Sequence, residues 1–395
     1  MSSRTDSCRR LLDAVRLPVL AALPLVGLLQ GPAFASLAWT LGACALLSAW
    51  LVPRPSLLPD FAFIGLAAGF CALCLLSATW SIAPGHTALA AGQLALILAA
   101  SLVVLADRSM SPALAARAFG AMSLALCLGV AVMCADDWLH FPLQHRLEPH
   151  APFPGTKYNR GEDYLTLLLW PLLAYWILSR HFSRALLVAA ALLVLAAMGL
   201  STTARVTLPV GFAALLAAWL APRATMRAMV WGSVATAATL PFLLRTLAGD
   251  RALLWHHLKL SGLHRLEIWN YMTARVFERP WLGWGFSTAK LVPIRPAEMR
   301  AFVYVDPHGV YPHNQWLQAW LETGAIGVAV GLAFVLLVLR RIEKLPPRLY
   351  PFGCAAFAAA VAVSASSFEL TTDSWWAALA LTALLLRLAG EASLP

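Results

Sequence analysis

The 395-residue sequence predicts an all-α fold, a polytopic membrane bundle of about 12 transmembrane helices with one large, partly helical extracytoplasmic loop. Hydrophobic residues make up 60% of the chain and charged residues 12%, whereas soluble domains carry about 25% charged residues. Apolar runs recur along the sequence, and arginine-rich turns separate alternate runs. The net charge of +10 is typical of cytoplasmic loops in a membrane protein, so it does not indicate a nucleic-acid partner.

Twelve stretches of the sequence are candidates for membrane spans, because a helix of about 20 apolar residues crosses a bilayer. They lie near 17–31, 33–52, 60–80, 86–106, 112–134, 161–179, 183–201, 205–221, 227–245, 313–340, 349–367 and 372–389. The first is short, contains Pro18 and Pro24, and follows several arginines, a pattern that it shares with secretory signal peptides. We interpret it as a short first transmembrane helix.

The distribution of basic residues predicts that both termini lie in the cytoplasm, by the positive-inside rule. Arginines precede the first span, and basic residues mark alternate connections after it. These residues are Arg54, Arg108, Arg180, Arg184, Arg223, Arg227, Arg340, Arg341, Lys344, Arg348 and Arg387. Residues 1–245 then hold helices 1 to 9, with an outer connection at about 135–160. Residues 246–312 form the large outer loop, and residues 313–395 hold helices 10 to 12.

Both outer connections are basic, although the same rule expects few Lys and Arg residues there. The larger contains Arg251, Lys259, Arg265, Arg275, Arg279, Lys290, Arg295 and Arg300, and the smaller contains Arg146, Lys157 and Arg160. Ordinary solvated charge is one explanation, because long loops are partly exempt from the rule. We favour an extracytoplasmic cavity that binds an anion, for which phosphate is the natural candidate.

The large loop contains one predicted helix, in the segment HRLEIWNYMTARVFERP. Its apolar residues recur at helical spacing, and Pro280 ends the pattern. Arg265 and Trp269 are four positions apart and therefore lie on one face of this helix. The PWLGWG segment that follows is a Gly-rich turn, and we interpret its two tryptophans as interfacial aromatics that seat the loop on the membrane.

The boundary between the large loop and the next helix holds the first candidate for chemistry, His313. Proline is favoured at the first helical position, so Pro312 is predicted to open the helix and to place His313 in its first turn. The positive end of the helix dipole disfavours imidazolium and leaves a neutral histidine that can accept a proton. Asn314 follows directly. The alternative is a polar anchor at the membrane surface.

Two further arginines are candidate anion ligands. Arg205 lies in MGLSTTARVTLPVG, between two apolar runs, and an arginine near membrane depth indicates a functional site. Arg160 lies where a Gly- and Pro-containing loop meets the next helix, beside Lys157 and Asn159. Solvated or snorkelling charge is the alternative for each arginine alone. The topology nevertheless assigns them to the same face as His313 and Arg265.

Carboxylates are the competing candidates for a catalytic base. They are Glu162, Asp163, Glu322, Glu369 and Asp373. Neither outer loop contains a D-x-D or other paired-carboxylate motif of the kind that holds a divalent metal. The sequence therefore predicts neither a metal nor a cofactor.

Four segments together resemble the bacterial O-antigen ligase and polymerase superfamily. NQWLQAWLETGAIG after His313 is similar to its H-N-x-x-L-x-x-x-x-E-x-G-x-x-G signature, and RLEIWNYMTARVFERPWLGWGF to its R-x-x-x-W…PxxGxG segment. KYNRGEDYLTLLLWP resembles its Asn-containing loop-to-helix segment, and STTAR its S-x-S-R-like segment. STTAR departs from the family, which often has Ser before Arg and Gly after it, and this puts the role of Thr203 in doubt but not that of Arg205. The first five helices match in hydropathy only.

The resemblance implies an inverting, metal-independent membrane glycosyltransferase of the GT-C-like kind, in the bacterial inner membrane with its active site facing the periplasm. The implied donor is an O-antigen glycan on undecaprenyl diphosphate, and the implied acceptor is a sugar hydroxyl of lipid A–core. His313 and Arg265 would be catalytic. Besides Arg265, the ligands of the diphosphate would be Arg205, Arg160, Lys157 and Asn159. The supporting residues would be Asn314, Glu322 and Trp269.

Two alternatives remain open at this stage. An O-antigen polymerase would use the same donor but a growing glycan as acceptor, and the single dominant outer loop favours a ligase. A secondary transporter of an organic anion would show inverted repeats with broken helices near the bilayer midplane. The sequence shows no such internal symmetry, and its polar residues cluster at one membrane face.

Overall fold

The protein is all-helical in the computed structural model, which describes residues 2–51, 57–147, 156–199, 201–248, 260–299, 302–303, 306 and 310–393. Within these ranges, two short 3-10 turns, Ser77–Thr79 and Ala289–Leu291, accompany the α-helices. The helices are α1 (Ser2–Leu29), α2 (Ala33–Leu51), α3 (Phe61–Leu76), α4 (Pro84–Ala106), α5 (Pro112–Trp138), α6 (Pro142–Leu147), α7 (Thr156–Leu178), α8 (Phe182–Met198), α9 (Thr202–Leu220), α10 (Pro222–Ala248), α11 (Leu260–Glu278), α12 (Pro296–Met299), α13 (Gln315–Glu343), α14 (Tyr350–Ser364) and α15 (Asp373–Ala392).

Each of the twelve predicted spans coincides with a helix, and the prediction of an all-α polytopic membrane protein is confirmed. Within the described ranges, nine helices are long and apolar enough to cross a membrane. Helices α8 and α14 are shorter apolar helices, and α7 carries charged residues in its first two turns. The number of crossings therefore stays a prediction for these three.

Helix α7 lies at the centre of the bundle and packs against α1, α8, α9, α14 and α15. Its side chains from Gly161 to Trp176 are all buried, including the large Trp170. Because protein rather than lipid surrounds this helix, it can hold Glu162 and Asp163 near one end without exposing either to hydrocarbon.

Charged side chains connect the helices at one end of the bundle, where α1 starts and α15 ends. Arg16 and Asp107 form a fully buried ion pair with an N–O distance of 3.1 Å. Arg387 on α15 donates to the Asp107 backbone carbonyl. The start of α15 and the connection from α14 lie at the opposite end, so His313, which contacts that connection, is separated from this basic end by the length of the bundle.

Helix α11 confirms the helix predicted inside the large loop, and it packs against α10 and α13. The PWLGWG segment after it enters a break in α13. Gly324 has the non-helical angles φ 61° and ψ −164°, and the freed backbone groups bond to the loop. Ala325 N–H donates to the Pro280 carbonyl at 2.8 Å, and the Trp284 and Gly285 N–H groups donate to carbonyls of α13, each at 2.9 Å.

The two tryptophans of PWLGWG therefore differ in their surroundings. Trp281 is 72% exposed, as expected of an interfacial aromatic, whereas Trp284 is 9% exposed and packs in a core beneath α11. The interpretation of both as membrane-seating residues was thus wrong for Trp284. Its indole Nε1 donates to the Arg275 carbonyl at 3.0 Å, which fixes the turn to the helix before it.

Replacing Gly324 with alanine should destabilise the protein by about 1–3 kcal/mol or more, because its backbone conformation is almost restricted to glycine. A Cβ there would also lie 2.3 Å from the Trp281 backbone. Gly65 on α3 is the matched control, since a Cβ there meets nothing within 4 Å. Thermal unfolding in detergent should show a lower Tm for Gly324→Ala and an unchanged or higher Tm for Gly65→Ala. Equal Tm values for the two variants would show that the break does not depend on glycine.

Candidate active site

His313 lies just before α13 rather than inside it, so the prediction that Pro312 opens the helix was wrong. The helix begins at Gln315, and Asn314 is its N-cap, with Oδ1 accepting a hydrogen bond from the Leu317 N–H at 3.0 Å. Asparagine is among the strongest N-cap residues because its side chain satisfies a free N–H of the first turn. The His313 backbone is in the left-handed region, with φ 50°.

The contacts of the His313 ring fix its orientation. The ring packs on Tyr311 with centroids 3.9 Å apart and hydrogen-bonds to the backbone carbonyl of Ser367. The preceding carbonyl, of Pro312, accepts a 2.6 Å hydrogen bond from the indole Nε1 of Trp269. Because the ring donates one N–H to Ser367, its other nitrogen is left as an acceptor.

The environment of His313 keeps the imidazole neutral. Burial is the largest cause that lowers its pKa from 6.5 to about 4, and the positive charges of Arg265, Arg160 and Lys290 add to it, against the hydrogen bond to Ser367. The sequence predicted a neutral histidine from the helix dipole. The structure assigns the effect to burial and to neighbouring arginines.

Arg265 and Arg160 approach the histidine from two different elements. Arg265 on α11 is partly buried, and its Nη2 donates to the Ser366 carbonyl at 2.9 Å. Arg160 lies in the first turns of α7, is exposed, and hydrogen-bonds to Tyr311. Asn159 beside it has a buried Oδ1 with no hydrogen-bond partner among the described residues. Arg265 and Arg160 therefore bring two guanidinium groups close to the imidazole.

Lys157 lies in the first turn of α7, but its side chain is outside the part of the chain that the structure describes. Arg205 lies in the first turn of α9 and points to the end of α8. Its Nε and Nη2 donate to the carbonyls of Ala196 and Gly199 at 3.0 and 2.7 Å. The structure thus groups Arg265 and Arg160 with His313, whereas the side-chain hydrogen bonds of Arg205 are to the end of α8.

Sequence reasoning did not single out Lys290 or Tyr311 as members of the site. The Lys290 ammonium lies 2.7 Å from a Glu369 carboxylate oxygen and 5.0 Å from the centre of the Tyr311 ring. Lys290 is one of eight basic residues in the large loop, and composition alone does not distinguish it from the others. A third member, Ser367, contributes through its backbone, for which no residue pattern exists.

Glu322 is buried, and its carboxylate binds backbone groups of the large loop. Its carboxylate accepts hydrogen bonds from the backbone N–H groups of Ser287 and Ala289 at 2.8 and 3.1 Å, and from Gln318 at 3.0 Å. Gly324, two residues on, provides the helix break that receives the PWLGWG segment. The E-x-G part of the motif therefore attaches the large loop to α13, which carries the N-cap beside His313.

The rate of the reaction at this site should stay constant as the pH falls from neutrality to about pH 6. If His313 must be neutral, a pKa of about 4 predicts that kcat/KM stays level from about pH 9 down to about pH 6. The rate should fall only as the pH drops through the pKa and the imidazole gains a proton. An acidic limb with a midpoint near 6.5, the value of an ordinary histidine, would contradict the described environment. The measurement is kcat/KM across this range, with protein stability checked at each pH.

The fold and this arrangement define a multi-pass membrane protein with a cationic, histidine-centred site at one end of its helical bundle. Residues 163–331 match the family model described as O-antigen ligase. The resemblance drawn from the sequence motifs is thereby confirmed, and this segment belongs to the O-antigen ligase family.

The names of curated relatives are consistent with this family. A Rickettsia typhi protein named as a putative polysaccharide ligase is 28% identical to this chain over 123 residues, which are 30% of each protein. The relative in Rickettsia conorii is 34% identical over 92 residues, which are 22% of this chain and 21% of the relative. In Rickettsia bellii the match is 24% identical over 193 residues and covers 47% of each chain. The chain thus aligns with less than half of the length of these relatives.

Proposed function

We propose that this protein is an inverting membrane glycosyltransferase that transfers an O-antigen polysaccharide from undecaprenyl diphosphate to a sugar hydroxyl of lipid A–core. The observation that carries the proposal is a partly buried His313, held by a backbone carbonyl, with the guanidinium groups of Arg265 and Arg160 beside it. The family match supports polysaccharide transfer, and the membrane helices suit a donor with a lipid anchor.

The proposed reaction is a single displacement at the anomeric carbon of the donor sugar. The free ring nitrogen of His313 takes the proton of the acceptor hydroxyl. The acceptor oxygen then forms a bond to the anomeric carbon, from the face opposite the diphosphate. The bond between that carbon and the diphosphate oxygen breaks, and its electron pair leaves with undecaprenyl diphosphate. One displacement inverts the anomeric configuration.

The arginines are proposed to carry the charge that develops on the leaving diphosphate. A guanidinium is a planar fork that matches phosphate oxygens and stays protonated. Fixed positive groups in a partly buried site stabilise developing negative charge without reorganising. This role supports transfer without a metal. Asn159, whose Oδ1 is unpartnered, is proposed to contact the donor, and Arg205 and Lys157 remain proposed ligands of the diphosphate.

The O-antigen polymerase is the other candidate, because the family match does not separate the two reactions. Deletion of the gene in the source bacterium distinguishes them. A ligase deletion should abolish long-chain lipopolysaccharide and leave lipid-linked O-antigen to accumulate. A polymerase deletion should leave lipopolysaccharide with a single repeat unit. The break in α13 does not favour a transporter, because backbone groups of the large loop occupy it.

The site is proposed to face the periplasm, with both termini in the cytoplasm. In a variant without the native cysteines, Val303→Cys in the large loop should react with a membrane-impermeant thiol reagent in spheroplasts, because Val303 is 74% exposed. Ser183→Cys should be protected, because Ser183 is exposed at the other end of α7, in the first turn of α8. Labelling of Ser183→Cys with protection of Val303→Cys would reverse the proposed orientation.

A further inference from the structure

We propose that Asp163 is a positioning residue that acts through Ser367 to hold the His313 imidazole in one orientation and one tautomer. The inference rests on the proposed function only where it concerns the reaction rate. The contacts themselves are a property of the fold. Asp163 lies near the start of α7, Ser367 in the connection between α14 and α15, and His313 before α13.

The carboxylate of Asp163 is fully engaged by two hydroxyl groups. Asp163 is 1% exposed. Its Oδ1 accepts a 2.7 Å hydrogen bond from Ser201 Oγ, and its Oδ2 accepts a hydrogen bond from Ser367 Oγ. The positive charges of Arg265 and Arg160 also act on this carboxyl group. Asp163 thus joins α7, the start of α9 and the α14–α15 connection at one point.

Ser367 connects this carboxylate to the histidine. Its hydroxyl donates to Asp163, while its backbone carbonyl accepts the His313 ring N–H and, at 3.4 Å, the Tyr311 hydroxyl. A fixed hydroxyl restricts the rotation of the residue and therefore the direction of its carbonyl. The adjacent carbonyl, of Ser366, holds Arg265. One buried carboxylate therefore orients the backbone that holds both the proposed base and its arginine.

A carboxylate suits this position better than a neutral amide. Both of its oxygens accept, which matches two hydroxyl donors, whereas asparagine presents one acceptor and one donor. Ser201 Oγ has little freedom to reverse its hydrogen bond, because it already accepts from the Ala204 N–H at 3.0 Å as the N-cap of α9. In metal sites, outer partners that orient a ligating histidine contribute about 10- to 100-fold in affinity or activity, and we expect an effect of similar size here.

The test compares variants that remove the contact without touching the imidazole. Ser367→Ala and Asp163→Ala should each lower kcat by about 10- to 100-fold, with KM for the lipid-linked donor nearly unchanged. Ser367→Thr keeps the hydroxyl and should retain most of the rate. Ser233→Ala is the matched control, because the Ser233 hydroxyl donates a 2.8 Å hydrogen bond to the carbonyl of Met229 on its own helix. A rise in KM without loss of kcat would contradict the proposal.

Two further readouts separate positioning from a merely structural role. In a His313→Ala background, Ser367→Ala should cause no additional loss of rate, because residues that act as a unit are not additive. An additional loss as large as in the wild type would refute the proposal.

The second readout does not depend on turnover. ¹⁵N NMR of histidine-labelled protein should show one neutral tautomer of His313 in the wild type and a mixture in Ser367→Ala and Asp163→Ala. An unchanged tautomer in both variants would also refute the proposal. If instead His313→Ala keeps its rate, the proposed base is wrong, and the tautomer measurement still decides whether Asp163 orients the ring.

Discussion

Replacing His313 with glutamine should lower the rate of glycan transfer by about 10²–10⁴-fold, the usual contribution of a general base. Glutamine can donate and accept hydrogen bonds but cannot take the proton of the acceptor hydroxyl. His313→Ala should therefore be no more than slightly worse. Donor affinity should fall much less than the rate, because Arg265 and Arg160 retain the attraction for the diphosphate.

The control for this prediction is His181→Gln, in the turn between α7 and α8 at the other end of the bundle. It should transfer glycan at the wild-type rate. If His313→Gln keeps more than about a tenth of the wild-type rate, it loses less than the weakest general base contributes. His313 would then be only a hydrogen-bonding ligand.

Replacing Arg265 with lysine should also remove most of the activity, although the charge is kept. The guanidinium donates to the Ser366 carbonyl at 2.9 Å and still has N–H groups for a phosphate oxygen, whereas an ammonium lacks the planar fork. Loss of a hydrogen bond to a charged group costs about 1.5–3 kcal/mol, which corresponds to roughly a 10- to 150-fold lower kcat/KM.

Arg295→Lys is the matched control for Arg265→Lys. Arg295 lies in the same loop, its side chain is 63% exposed, and its partners are Glu278 and Glu298. Surface ion pairs of this kind contribute only about 0–1 kcal/mol, so neither stability nor activity should change much. Transfer by Arg265→Lys at the level of Arg295→Lys would remove the argument for a guanidinium clamp on the diphosphate.

The sequence predicted the helices well because a membrane span requires a long apolar run, which is a local property. All twelve predicted spans coincide with helices, and Pro280 correctly limits α11. The start of α13 was misplaced because two local signals compete there. Proline favours the first helical position, but Asn314 caps the helix with its own side chain, and that interaction determined where the helix begins.

The parts of the site that the sequence did not reveal depend on contacts between distant segments. The break at Gly324 is stabilised by hydrogen bonds to Pro280 and Trp284, some 40 residues earlier. The carbonyl of Ser367 orients His313 from another connection. Backbone carbonyls carry no side-chain pattern, so their role appears only in three dimensions. The roles of His313 and Arg265 stay predictions, which the sequence suggests because a basic loop meets an apolar helix at His313.

Transfer with purified protein tests the proposed function most directly. The protein is reconstituted with an O-antigen donor on undecaprenyl diphosphate and with lipid A–core, and the product is isolated. We expect the glycan to be joined to lipid A–core by a new bond of inverted anomeric configuration, with one undecaprenyl diphosphate released per bond. We also expect this product to be lost in His313→Gln. A product of retained configuration, or equal transfer by His313→Gln and the wild type, would contradict the proposed reaction.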